Sequence, residues 1–196
     1  MSFINEKTKE INCKVVYYGP PRSGKSTTLR KIYEEARHDA KGELISLNHG
    51  DERTLYFDFV PLNLGKIKNF TVRLHLYTVP GEVAYKTSRE LTSKGLDGVV
   101  FVADSQLEKI EANIASLKSL QEVLVKEGHD PATVPFIFQY NKRDLSNAIP
   151  VRELSTVLNP NNVDVFETVA TTGQGVFESL RAIGTKVLLD LKRQRV

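Results

Sequence analysis

Apolar residues fall in two patterns along this chain, continuous runs and helical spacings, and their alternation predicts the elements in order. Val15-Val16-Tyr17-Tyr18 completes a first strand over residues 13–18. Leu29, Ile32, Tyr33 and Ala36 then share one face of a helix expected over 25–37. Residues 39–54 are mixed, polar and Gly-containing, and they read as a long loop of the kind that usually carries function. Strands over 55–62 and 70–77 follow. The short link Gly65-Lys66-Ile67-Lys68-Asn69 makes them an antiparallel pair. Residues 78–95 hold a Pro-Gly corner and an irregular helix. Gly98-Val99-Val100-Phe101-Val102-Ala103 is apolar throughout, the mark of a parallel strand covered on both faces. Ile110, Ile114, Leu117, Leu120 and Leu124 return to helical spacing. A strand over 135–140, a short helix from Val151, a strand over 163–169 and a closing helix marked by Phe177, Leu180, Ile183, Val187 and Leu191 complete the chain.

Strands alternating with helices imply an α/β fold: a mainly parallel six-stranded sheet with helices on both faces. The hairpin adds one antiparallel edge strand. No repeat, linker or second domain is visible, so residues 1–196 are expected to form a single domain.

Two motifs bring chemistry to this frame. Gly19-Pro20-Pro21-Arg22-Ser23-Gly24-Lys25-Ser26 matches G-x-x-x-x-G-K-[ST], between a strand and a helix. A tight turn there gathers backbone N–H groups from Arg22 to Thr27 around one point, and the helix dipole adds partial positive charge. Gly19, Arg22, Ser23, Gly24 and Thr27 would shape or line that cradle. Lys25 would reach the β- and γ-phosphates, and the Ser26 hydroxyl would ligate Mg²⁺. Asn141-Lys142-Arg143-Asp144 follows the apolar run at 135–140, at the carboxyl end of a strand, where open α/β sheets bind ligands. Asp144 can accept hydrogen bonds from guanine N1–H and its 2-amino group, and adenine offers neither donor. Asn141 can bond the base edge and brace the Gly-rich loop, and the Lys142 stem can lie along the base plane.

Bulk composition narrows the classes. Apolar residues make up 40% and charged residues 26%, so a soluble core is expected, and a net charge of +3 is too small to argue for nucleic acid. Cys13 is the one cysteine, which excludes an intrachain disulfide and a Cys-rich metal site and favours a reducing, cytoplasmic setting. His38, His49, His75 and His129 are scattered. No apolar run approaches the roughly 20 residues needed to span a bilayer. No signal-peptide core, myristoylation glycine or prenylation cysteine is visible. Neither a transmembrane segment nor a lipid anchor is therefore expected.

From about Cys13 to Leu191 the chain resembles the Ras-like small GTPases. Thr78-Val79-Pro80-Gly81, combined with Asn141-Lys142-Arg143-Asp144 and no lipidation site, resembles one bacterial branch of them, the MglA polarity GTPases. The phrases Gly19-Pro20-Pro21-Arg22-Ser23-Gly24-Lys25-Ser26-Thr27-Thr28, Asp51-Glu52-Arg53-Thr54-Leu55 and Leu74-His75-Leu76-Tyr77-Thr78-Val79-Pro80-Gly81 are similar to the signatures of that branch. The resemblance implies a GTP/GDP switch with slow, partner-stimulated hydrolysis that governs cell polarity and motility. It further implies a Roadblock/LC7-type activating partner (MglB-like), polarity effectors, recruitment to a cell pole, and a chain that is monomeric on its own. By the same resemblance Thr54 is the switch threonine that ligates Mg²⁺ beside Ser26. Arg53 is an internal arginine that neutralises transition-state charge. Gly81 offers its N–H to the γ-phosphate, Lys25 completes the catalytic set, and Ala170 offers its N–H to the guanine carbonyl.

Three departures from the Ras-like pattern matter. Thr78 stands where most relatives have the aspartate that bonds Mg²⁺ through water, and Asp58 on the neighbouring strand is a candidate substitute. Glu82 stands where a glutamine orients the attacking water, which implies slow intrinsic hydrolysis. Pro20 and Pro21 remove N–H donors from the Gly-rich loop and narrow the room for an arginine inserted by another protein. Two alternatives stay open on sequence: a nucleotide-binding scaffold with little hydrolysis, and a P-loop ATPase or small-molecule kinase.

Overall fold

The computed structural model describes residues 3–37, 40–48, 54–80 and 86–193. Among the described residues eight strands form one sheet: β1 (Phe3–Asn5), β2 (Glu10–Tyr18), β3 (Ile45–Asn48), β4 (Thr54–Ile67), β5 (Phe70–Thr78), β6 (Gly98–Asp104), β7 (Phe136–Asn141) and β8 (Val165–Thr168). Five helices accompany them: α1 (Lys25–Glu35), α2 (Lys86–Ser93), α3 (Ile110–Lys126), α4 (Val151–Leu158) and α5 (Val176–Arg193). The order across the sheet is β3-β4-β5-β2-β6-β7-β8, with β1 beside β2. Strands β5, β2, β6, β7 and β8 run parallel. The α/β class and the order of elements agree with expectation.

The expected count of six strands is corrected to eight, and the single antiparallel edge to three antiparallel pairs. Ile45-Ser46-Leu47-Asn48, read as part of a long loop, pairs with β4 as an edge strand. Phe3-Ile4-Asn5 pairs with residues 10–12 of β2. It takes the flank that β6 leaves vacant, because β6 joins β2 only from Val15 onward. β1 and β3 are only three and four residues long and stand in polar surroundings, so their pairing partners define them. The β4–β5 link is also tighter than expected. A register shift between Asn63 and Gly65 carries pairing on to Ile67 and Phe70, leaving Lys68-Asn69 as the turn.

The burial of β2 shows why its sequence changes character halfway. Ile11, Cys13 and Val15 are buried in alternation with half-buried neighbours, and from Val15 onward every residue is buried. Successive side chains go to opposite faces. Cys13, Val15 and Tyr17 join Leu29 and Ile32 of α1 and Ile183 and Val187 of α5 in one core. Val16 and Tyr18 join Leu120 and Leu124 of α3 and Leu154 and Leu158 of α4 in the other. Phe59 lies against Tyr77, ring centroids 4.8 Å apart, so these aromatics pack the β4–β5 ladder. Because β2 lies between β5 and β6, the winding reverses beside it, and the carboxyl ends of β2, β6, β7 and β8 converge on one edge.

Candidate guanine-nucleotide site

The loop after β2 is shaped by left-handed residues. Gly19 has φ 144°, Arg22 60° and Gly24 104°. A Cβ on Gly19 would meet the Val102 carbonyl oxygen at 2.2 Å. A Cβ on Gly24 would meet Asn141 Nδ2 at 2.1 Å. The two glycines therefore let the loop close against β6 and against the Asn141 side chain. Gly24 is the N-cap of α1, which has no side-chain cap and no acidic residue in its first turn. The first intrahelical bond runs from Thr28 N to Gly24 O at 2.8 Å. The amides of Lys25, Ser26 and Thr27 precede it in the first turn and point out of the helix end, forming the donor cluster that an anion would meet. Ser23 is fully buried; Ser26 and Thr27 are half-buried, and Arg22 is exposed.

Lys25 is buried, and its Nζ donates to Gly19 O at 2.9 Å and Pro20 O at 2.7 Å. Its pKa is lowered to about 7, chiefly by burial, with the Asp58 carboxylate opposing the shift and Arg89 adding to it. A cation kept this dry is stabilised by an anion such as phosphate. Arg89, buried on α2, had no recognisable motif to mark it.

Asn141 ties the halves of the site together. Its Nδ2 donates to Ser23 O at 2.7 Å, and its Oδ1 accepts from Ala170 N at 2.9 Å and from Thr168 Oγ1 at 3.2 Å. In this structure the Ala170 amide thus holds Asn141. The expected bracing of the Gly-rich loop by Asn141 is present. Lys142 Nζ pairs with Asp104 Oδ2 at 2.6 Å. Arg143 fixes the loop from three sides: its N–H donates to Thr168 O at 3.2 Å, Nε to Glu167 Oε2 at 3.0 Å, and Nη1 to Ile149 O at 2.6 Å. Asp144, next along, is exposed at the rim.

On the other flank, Thr78 Oγ1 accepts the Asp58 amide at 2.8 Å and donates to Asp58 Oδ2 at 2.9 Å. Both residues are buried. Thr54 opens β4. Arg53, Gly81 and Glu82 lie outside the described residues. Sequence reasoning missed Asp104, Asn113 and Arg89; a charged residue closing the apolar run of β6 was the available signal for Asp104.

Gly24→Ala tests the cradle directly. The added Cβ meets Asn141 while the backbone holds a left-handed φ, so a loss of about 2 kcal/mol or more is expected. Thermal unfolding should fall by roughly 4–8 °C.

A family model for the ADP-ribosylation factor family matches residues 1–187. The chain belongs to that family. It is a small GTPase, a guanine-nucleotide switch that hydrolyses GTP. It is 53% identical over 193 residues to the mutual gliding-motility protein MglA of Myxococcus xanthus, covering 98% of this chain and 99% of that protein. It is 25% identical over 143 residues to human ADP-ribosylation factor-like protein 4A, covering 69% of this chain and 68% of the relative. Among the described residues no helix is long and apolar enough to cross a membrane.

Proposed function

We propose that this GTPase switches between GTP- and GDP-bound states to govern cell polarity and gliding motility. In this reading a Roadblock/LC7-type partner stimulates hydrolysis, and polarity effectors read the GTP state. The chain is a cytoplasmic monomer on its own and is recruited to a cell pole. The observation that carries the nucleotide assignment is the Asn141 bridge from Ser23 O to the Ala170 amide, which joins the phosphate loop to the base loops. The similarity to the gliding-motility relative carries the physiological part.

Lys25 and the amides around it hold the β- and γ-phosphates, and Asp144 reads the guanine edge. Ser26 and Thr54 would hold Mg²⁺, which neutralises charge on the phosphate oxygens when bound. The donor set suits that ion: Ser26 in the first turn of α1 and Thr54 at the start of β4 are hard oxygen donors, and Mg²⁺ uses few protein ligands beside phosphates and water. Arg53 and Glu82 enter for hydrolysis, and Gly81 senses the γ-phosphate.

The test is competition and turnover. Purified protein supplied with Mg²⁺ should retain a fluorescent GDP against excess ADP and lose it to excess GDP. GTP turnover should be slow alone and should rise on adding the activating partner. Equal displacement by both diphosphates would refute the site.

Asp58 is our candidate to replace the aspartate missing at Thr78, a reading supported by the bond Thr78 Oγ1 donates to it and by its effect on Lys25. Asp58→Ala should weaken Mg²⁺-dependent retention of GDP by about 10–100-fold. Restoring a carboxylate by Thr78→Asp in the same protein should recover much of it. Unchanged Mg²⁺ dependence in Asp58→Ala would remove Asp58 from the metal site.

A further inference from the structure

We propose that Asp104 is the positioning residue for Lys142, that Asn113 holds Asp104 in place, and that α3 thereby sets how long guanine nucleotide stays bound. The proposal rests on the guanine-site reading above. Asp104 ends β6 and lies opposite Asn141 in the parallel β6–β7 register, so Lys142 follows immediately beyond the last paired residue. There the backbone leaves the strand with a left-handed φ of 66° at Lys142. The side chain's direction is set by its end, where Nζ meets Asp104 Oδ2 at 2.6 Å.

The two partners differ sharply in environment. The Asp104 side chain is 1% exposed and the Lys142 side chain 27%. A carboxylate that dry needs a cation and further donors, and Lys142 with Gln106 supplies them. Gln106 donates its backbone N–H to Oδ1 at 3.2 Å and its Nε2 to Oδ1 at 3.0 Å. The Asp104 backbone is held just as closely. Its N–H donates to Asn113 Oδ1 at 3.0 Å, and its carbonyl accepts from Asn113 Nδ2 at 2.8 Å. Asn113 is fully buried on α3. A side-chain amide that takes both backbone groups of one residue substitutes for a missing strand neighbour and fixes that residue's height above the sheet. The chain of contacts Asn113–Asp104–Lys142 leads from α3 to the lysine whose stem lies along the base plane in the guanine-site reading.

A double-mutant cycle on nucleotide release decides the matter. Fluorescent GDP is loaded on wild type, Asp104→Asn, Lys142→Met and the double variant, and its release is followed under excess unlabelled GDP, with thermal unfolding measured alongside. Each single change should speed release about tenfold, and the double should release no faster than the faster single. Multiplicative effects, or unchanged release with only a lower unfolding temperature, would overturn the proposal. Should Asp104→Asn not fold, Asn113→Ala reads the same claim, with release at least about threefold faster if it holds and unchanged if it does not. Excess ADP on wild type separates the two levels. Displacement by ADP refutes the guanine site and the proposal with it. Retention against ADP with a multiplicative cycle refutes only the positioning role.

Discussion

Asp144→Asn should lose about 10³-fold or more in GDP affinity while folding normally. The size follows from the kind of recognition. A carboxylate facing guanine N1–H and the 2-amino group accepts two hydrogen bonds, and a carboxamide presents a donor where an acceptor is required. A site built around polar partners discriminates by several orders of magnitude, because the mismatch leaves groups unpaired on both sides. Normal folding is expected because Asp144 is exposed, while the loop is anchored by Arg143 through Thr168, Glu167 and Ile149. The same variant should gain affinity for xanthosine diphosphate, whose C2 carbonyl accepts from the new amide. Calorimetric titration with both diphosphates measures this. GDP binding as tight as wild type would remove Asp144 from the base site.

Arg53→Ala should reduce partner-stimulated GTP hydrolysis by about 10³-fold or more, the scale of an arginine that neutralises charge on the transferring phosphoryl group. GDP affinity should stay within about threefold of wild type, since the arginine acts on a charge that develops only in the transition state. Single-turnover phosphate release at saturating partner separates the effect from binding. Glu82→Gln is the companion measurement. An amide that can donate to the developing charge should raise the partner-free rate by about tenfold, the worth of one well-placed hydrogen bond. A full stimulated rate in Arg53→Ala would mean that the cation comes from elsewhere.

The parts of the site legible in sequence are those whose chemistry is local. The Gly19–Ser26 loop works through consecutive amides and two glycines, so its spacing survives in the linear chain. Asn141-Lys142-Arg143-Asp144 was legible for the same reason. Asp58 was reachable only because it stands on a strand adjacent to Thr78, and the hydroxyl–carboxylate bond depends on the β4–β5 register. The pairing of Asp104 with Asn113 was not legible. They lie nine residues apart, on a strand end and a helix, and bond only after α3 packs on the sheet.

By itself the sequence determined the α/β class, the order of the main strands and helices, and the two loops that identify a guanine-nucleotide site, because periodicity and turn chemistry act over short spans. Tertiary structure alone decided the short edge strands β1 and β3, the bond from the Ala170 amide to Asn141 Oδ1 and the Asp104 seat of Lys142. Those depend on which strands become neighbours and in what register, and no local preference encodes that. Burial then gave each of these contacts its weight, since a polar group removed from water must find its partner within the fold.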